Sequence, residues 1–86
     1  MALVRVRGQL KQLAGGRSEH ELEGATVIEL LHELGRAQPA VAGWVVDERG
    51  QVRRHINVFV NGERCGADTA VAPDDRVDVL PAISGG

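Results

Sequence analysis

The sequence has little aromatic character: one Phe, one Trp and no Tyr in 86 residues. Single-stranded nucleic acid is gripped by stacking bases on such rings, and this chain offers almost none. Excess positive charge is missing too, since ten Lys and Arg stand against twelve Asp and Glu, for a net charge of −2. Phosphate backbones would meet no electrostatic footprint, so no nucleic-acid partner is expected. Cys65 is the only cysteine, which rules out an internal disulfide and leaves no paired thiolates for a metal. No apolar run approaches the ~18 residues that span a bilayer, and MALVRVRGQL lacks a signal-peptide core. The expectation is a cytoplasmic protein with no membrane contact. Lysine is nearly absent as well: Lys11 is the only one, beside nine arginines.

What remains is an ordinary globular composition, 43% hydrophobic and 26% charged. A chain of this length builds one small core, so residues 1–86 are expected to form a single domain. LVRVR at 3–7 alternates apolar and charged residues, as a half-buried strand does. Gly15-Gly16 breaks the chain before HELE at 20–23, a short polar strand that would pair with the first as a loose hairpin. ATVIELLHELG at 25–35 predicts the main helix. Thr26 and Glu29 have capping-box spacing, and Val27, Leu30, Leu31 and Leu34 make one apolar stripe. Gly35 stands where a left-handed C-cap is expected. Residues 36–54 are irregular, with room for a helical turn after Pro39 and a turn at DERG, 47–50. HINVFV at 55–60 predicts a strong strand, Asn61-Gly62 a hairpin turn, and ERC at 63–65 its short partner. A turn at APDDR leads to the last strand, VDVL at 77–80, which Pro81 should stop.

Strands with one apolar face and a helix with one apolar stripe imply an α+β fold. A mixed sheet of four to five strands would wrap the one main helix, the last strand lying beside the first. Strand parity then turns Ile56, Val58, Val60, Val77 and Val79 toward the helix. Asn57, Phe59, Asp78 and Leu80 face away from it, beside Arg5 and Arg7. Phe59 and Leu80 are large apolar residues on a face with nothing in the chain to cover it, rimmed by charge. That combination reads as a docking patch.

Other reactive residues carry less. His20, His32 and His55 lack the spacing of a zinc helix and read as solvated side chains, so no metal is expected. Cys65 reads as a small buried hydrophobe. Arg49, Arg53 and Arg54 with His55 form a basic run of the kind that lines a solvated edge, and Trp44 should pack over the irregular segment.

The chain finishes PAISGG. A chain with 11 glycines in 86 ends in two of them by chance about once in sixty. The tail gains meaning from what precedes it. HINVFVNGE at 55–63, PDDRVDVLP at 73–81 and the ending AISGG together resemble the ThiS/MoaD sulfur-carrier proteins, relatives of ubiquitin with the β-grasp fold. The longer run DERGQVRRHINVFVNGE at 47–63 is most similar to the MoaD-like, CysO-type branch.

The resemblance implies a role as cosubstrate rather than enzyme, with no catalytic residues and no bound cofactor. In such carriers a ubiquitin-activating-like enzyme uses Mg-ATP to adenylate the terminal carboxylate, here that of Gly86. The adenylate becomes a thiocarboxylate that donates sulfur in a biosynthetic enzyme. Residues 82–86 would be a flexible tail, with Ser84, Gly85 and Gly86 threading the partner's channel because glycine has no Cβ to obstruct it. Phe59, Leu80, Pro81, Ile83, Arg5 and Arg7 would meet the partner, and the free protein would be a monomer. Two further readings fit the same tail: the small subunit of molybdopterin synthase, and a ubiquitin-like modifier joined to target lysines. An inert β-grasp interaction domain would need no tail at all.

Overall fold

The computed structural model describes residues 1–81. Its elements are β1 (Ala2–Val6), α1 (Gln9–Leu13), β2 (Glu19–Leu22), α2 (Val27–Ala37), α3 (Pro39–Val45), β3 (Ile56–Val60), β4 (Glu63–Cys65) and β5 (Arg76–Pro81). The strands form one mixed sheet in the order β2-β1-β5-β3-β4. β5 occupies the middle, parallel to β1 on one side and antiparallel to β3 on the other. This is the architecture expected, with the last strand beside the first. Residues 82–86, including Ile83, Ser84, Gly85 and Gly86, lie outside the described residues.

The inward residues follow strand parity. Val4 and Val6 of β1, Ile56 and Val58 of β3, and Val77 and Val79 of β5 join Val27, Leu30, Leu31 and Leu34 of α2 in one buried cluster. Val60 is half-buried, packed against the rim of that cluster. Each buried aliphatic side chain contributes roughly 1.5–3 kcal/mol of apolar transfer free energy, the main force holding sheet to helix.

α2 begins as its sequence dictates. The amide of Glu29 donates to Thr26 Oγ1 at 3.4 Å, and the amide of Ala25 donates back to Glu29 Oε1 at 2.9 Å. Its end differs from expectation. Gly35 does not cap the helix but lies buried within it, and α2 runs on to Ala37. The reason is close approach, not backbone freedom. A Cβ at Gly35 would sit 2.9 Å from Ala42 Cβ, where α3 packs against α2. The helical turn after Pro39 is therefore a seven-residue helix, with Pro at its start, where a missing amide hydrogen costs nothing.

The β1–β2 connection also departs from a plain hairpin. The two strands pair antiparallel, Val4 opposite His20, but α1 lies between them. Its Leu10, with Ala14 beyond it, is fully buried, so this single turn exists to close one end of the core. At five residues it is too short to show a helical period in the sequence.

The β3–β4 turn is what Asn61-Gly62 announced. Val60 pairs with Glu63, and Asn61 and Gly62 both take positive φ, 51° and 87°, as a type I′ turn requires. Asn61 also fastens this turn to the loop before β5: its Nδ2 donates to Asp75 Oδ1 at 2.9 Å, and its Oδ1 accepts from the Arg76 amide at 2.9 Å. The Ala72 amide donates to Asp75 Oδ2 at 2.8 Å. These bonds, the Ala72 amide first and Asn61 second, hold the Asp75 carboxyl below its ordinary pKa. β5 is not stopped before Pro81; it includes it, opposite Ile56. Proline brings no N–H to a ladder, but its carbonyl and its extended φ remain compatible with a strand.

Candidate functional site

The face of the sheet turned away from α2 is built by register. In one row, Glu19 of β2 lies opposite Arg5 of β1, Arg5 opposite Asp78 of β5, Asp78 opposite Phe59 of β3, and Phe59 opposite Arg64 of β4. In the next row, Leu80 lies opposite Asn57. Asn57, Phe59, Asp78 and Leu80 thus share the outer face with Arg5, as parity requires.

The centre of this face is an ion pair. Arg5 Nε lies 2.8 Å from Asp78 Oδ1, and Arg76 Nε lies 3.6 Å from Asp78 Oδ2. The Asp78 side chain is only 12% exposed and Arg5 27%. Arg5 is therefore committed to its own fold, while Arg7, just past β1, is exposed. The participation of Arg76 went unread in the sequence, although residues 76, 78 and 80 share a face by the same period of two.

Phe59 and Leu80 are both half-buried rather than open to solvent. Their cross-strand neighbours account for part of the cover, Arg64 and Asp78 beside Phe59 and Asn57 beside Leu80. The large hydrophobics that are exposed among the described residues are Met1 and Trp44. Trp44 is 39% exposed and meets His55 edge-on, ring centroids 6.5 Å apart. Its ring partner is thus the residue just beyond the irregular segment, and the expected packing over that segment does not bury it.

β5 delivers the chain out of the fold between two neighbours. Pro81, half-buried, lies opposite Ile56 at the start of β3. On its other side, a Cβ placed on Gly8 would lie 3.6 Å from Pro81 Cγ. The end of β1 and the beginning of β3 therefore flank the point where residue 82 begins. Arg53, Arg54 and His55 are exposed there, as a solvated edge should be. Arg53 Nε donates to Gly43 O of α3 at 2.7 Å, and Asp47 Oδ1 accepts the Arg49 and Gln51 amides at 2.9 Å each. The Gln51 amide is the first cause that holds the Asp47 carboxyl below its ordinary pKa.

The histidines divide. His32 is exposed, its Nε2 3.1 Å from Gly50 O. His20 is not solvated: it is 7% exposed, with Nε2 2.9 Å from Arg17 O. It lies on an edge strand but opposite Val4, on the inward parity, and that buries it. Cys65 is half-buried against the core, its Sγ within 3.5 Å of Val58 O. Among the described residues no group of three His, Cys, Asp or Glu side chains is placed to hold a metal. No helix of the described chain is long and apolar enough to cross a membrane.

Comparison with known proteins places this geometry. The sequence model of the ThiS family matches residues 4–86. Small archaeal modifier protein 1 of Haloferax volcanii is 37% identical over 79 residues, covering 90% of this chain and 91% of its own. Sulfur carrier protein CysO of Mycobacterium tuberculosis is 29% identical over 83 residues, covering 90% and 89%. Among solved structures, the BexX/CysO complex of Amycolatopsis orientalis contains a chain that superimposes with a TM-score of 0.87 at 30% identity, covering both chains completely.

Proposed function

We propose that this chain, which belongs to the ThiS family, is a sulfur carrier whose Gly86 α-carboxylate is adenylated and then converted to a thiocarboxylate. The observation that supports this most is continuous: the family match runs through residue 86, and β5, the strand that leads there, is the central strand of the sheet. Val77 and Val79 are fully buried, so the tail springs from the best-anchored part of the fold. The domain is a rigid handle and the last residues are the reactive arm.

The chemistry explains why an arm is needed. A carboxylate is a poor electrophile at neutral pH. In the partner enzyme, with Mg-ATP, a carboxylate oxygen of Gly86 attacks the α-phosphorus and pyrophosphate leaves. Hydrosulfide then adds to the activated carbonyl carbon, and AMP departs with the C–O bonding pair. The product thiocarboxylate is a soft anion able to attack activated carbon in a sulfur-accepting biosynthetic enzyme. This chain supplies no base and no metal to these steps. It supplies a narrow tail and a docking surface, formed by Phe59, Leu80, Pro81 and Arg7 with Ile83 beyond.

A second reading has support of its own, because the 37% identical relative is named a protein modifier. The same Gly86 adenylate attacked by a target lysine amine, instead of by sulfide, would leave an isopeptide bond. Lys11 is the only lysine, so self-linkage could use a single side chain.

The test is deletion of Gly85 and Gly86 in the full protein, assayed with a ubiquitin-activating-like enzyme, Mg-ATP and sulfide. Sulfur loading should vanish while the melting temperature stays within a degree or two. Loading that survives the deletion would refute the assignment. Isopeptide-linked species in cell lysate, lost with the same deletion, would favour the modifier reading.

A further inference from the structure

Register leaves an excess of acidic residues at one end of the strands and of basic residues at the other. At one end stand the C-terminal ends of β1 and β5 and the beginning of β3; at the other, the beginning of β5, the β3–β4 turn and the end of β2. The far end carries Glu23, Glu63, Asp74 and Asp75, with Arg76 and the N-terminus among them. The tail end carries Arg7, Lys11, Arg53 and Arg54, with Glu19 beside the first two. A net charge of −2 conceals this arrangement.

The tail-end cations differ in what they already do. Arg5 is held by Asp78, and Arg53 is bonded to a carbonyl of α3. Arg7, Lys11 and Arg54 are exposed, and among the described residues none has a carboxylate within ion-pair distance. Glu19 lines the same shallow cavity as Arg7 and Lys11, and Asp47, whose carboxylate already accepts two amides, lines another with Arg54.

We propose that Arg7, Lys11 and Arg54 form a basic rim around the tail exit that docks on an acidic surface at the mouth of the adenylating enzyme's channel. The proposal rests on the carrier reading above and names the chemistry of its partner surface. Reach decides what the rim can meet. Five residues, 82–86, span at most about 17 Å when extended. With the Gly86 carboxylate at the nucleotide and the tail threaded in extended form, the rim would stand about that far behind it. It therefore meets protein around the entrance, not the phosphates of ATP. Complementary charge at such a place steers the approach and sets the orientation in which the tail meets the channel.

The test measures association of the full-length protein with a recombinant ubiquitin-activating-like enzyme of the same organism, by stopped flow across a salt series. Arg7→Glu/Arg54→Glu should associate about tenfold or more slowly at low salt, and approach the native rate at high salt. Glu63→Arg/Asp74→Arg, reversing charge at the far end, should leave the rate within about twofold. Lys11 gives an independent readout, because the only other amine, at the chain's N-terminus, lies at the opposite end of β1. On complex formation an amine-reactive label should be excluded from Lys11 and not from that terminus.

Native rates in the Arg7/Arg54 variant at every salt, or equal labelling of Lys11 in the complex, would overturn the rim. The carrier reading would stand in that case, provided the deletion of Gly85 and Gly86 still abolishes loading. A native protein that takes no sulfur at all would instead remove the carrier reading, and the rim with it. Capture of a single-stranded RNA that depends on Arg7 and Arg54, without any effect on the enzyme, would assign the surface to another partner and also overturn the proposal.

Discussion

Replacing Gly35 by Ala should destabilise this protein, although the same change in an exposed helix would do the opposite. On helix propensity alone, Ala at an interior position gains about 1 kcal/mol over Gly. Gly35, however, is buried where α3 crosses α2, and a new Cβ would stand 2.9 Å from Ala42 Cβ and 3.2 Å from Ala42 Cα. Real side chains do not approach so closely, so the two helices must part by several tenths of an ångström. Overpacking of this kind costs roughly 1–3 kcal/mol. Set against the propensity gain, the net loss is about 1 kcal/mol, or ~4–8 °C in melting temperature for a domain of this size. Urea denaturation followed by circular dichroism measures it. Ala42→Gly alone should also destabilise, by about 1 kcal/mol. Combined with Gly35→Ala it should recover most of the clash, giving a favourable coupling of about 1–3 kcal/mol in the double-mutant cycle. If Gly35→Ala raises stability by about 1 kcal/mol and the two changes simply add, α2 and α3 are not in the contact described.

The two sheet faces should separate in the same kind of experiment. Val58→Ala and Val79→Ala, at buried inward positions, should each cost about 2 kcal/mol of stability and leave affinity for the adenylating enzyme within about threefold. Phe59→Ala and Leu80→Ala should each weaken that affinity about tenfold, at roughly 1.4 kcal/mol per decade. Being half-buried, they should also lower stability, but by about half as much as the valines. A Phe59→Ala variant that melts earlier than Val58→Ala and binds normally would reverse the assignment of faces. Acid should loosen the link between the Asn61-Gly62 turn and the loop before β5. The Asp75 carboxyl is depressed in the folded protein, so its contribution is fully present above the unfolded value and is lost as pH falls through the folded one. Asp75→Asn should therefore flatten the acid limb of stability, and an unchanged limb would refute its role.

How much of this could be read beforehand follows from the range of the signals. Elements fixed by neighbours in sequence were legible: the Thr26–Glu29 box, the α2 stripe, the Asn61-Gly62 turn and the alternation in β1, β3 and β5. Elements fixed by distant neighbours were not. Gly35 has the sequence position of a C-cap, and only the arrival of α3 makes it an interior contact. α1 is too short to leave a period, and is held by burial of Leu10. His20 looks solvated in a polar stretch until pairing with β1 sets it inward, opposite Val4. Which residues share the outer face of the sheet was legible by parity, but the half-burial of Phe59 and Leu80 was not, because that depends on which strands lie side by side. Arg54 acquires its place beside the tail exit only through the register of β3 against β5.

The most direct measurement concerns which atom carries sulfur. The protein should be incubated with its adenylating enzyme, Mg-ATP and sulfide, and then digested with trypsin. Cleavage after Arg64 and Arg76 separates Cys65, in residues 65–76, from the terminus, in residues 77–86. Oxidation of a side chain adds nearly the same mass as exchange of oxygen for sulfur, so fragmentation must locate the change. The account predicts that the terminal peptide gains that mass at Gly86, that the gain requires ATP, and that an alkylating reagent then traps it. Sulfur found on the peptide bearing Cys65, with residues 77–86 unchanged, would contradict it.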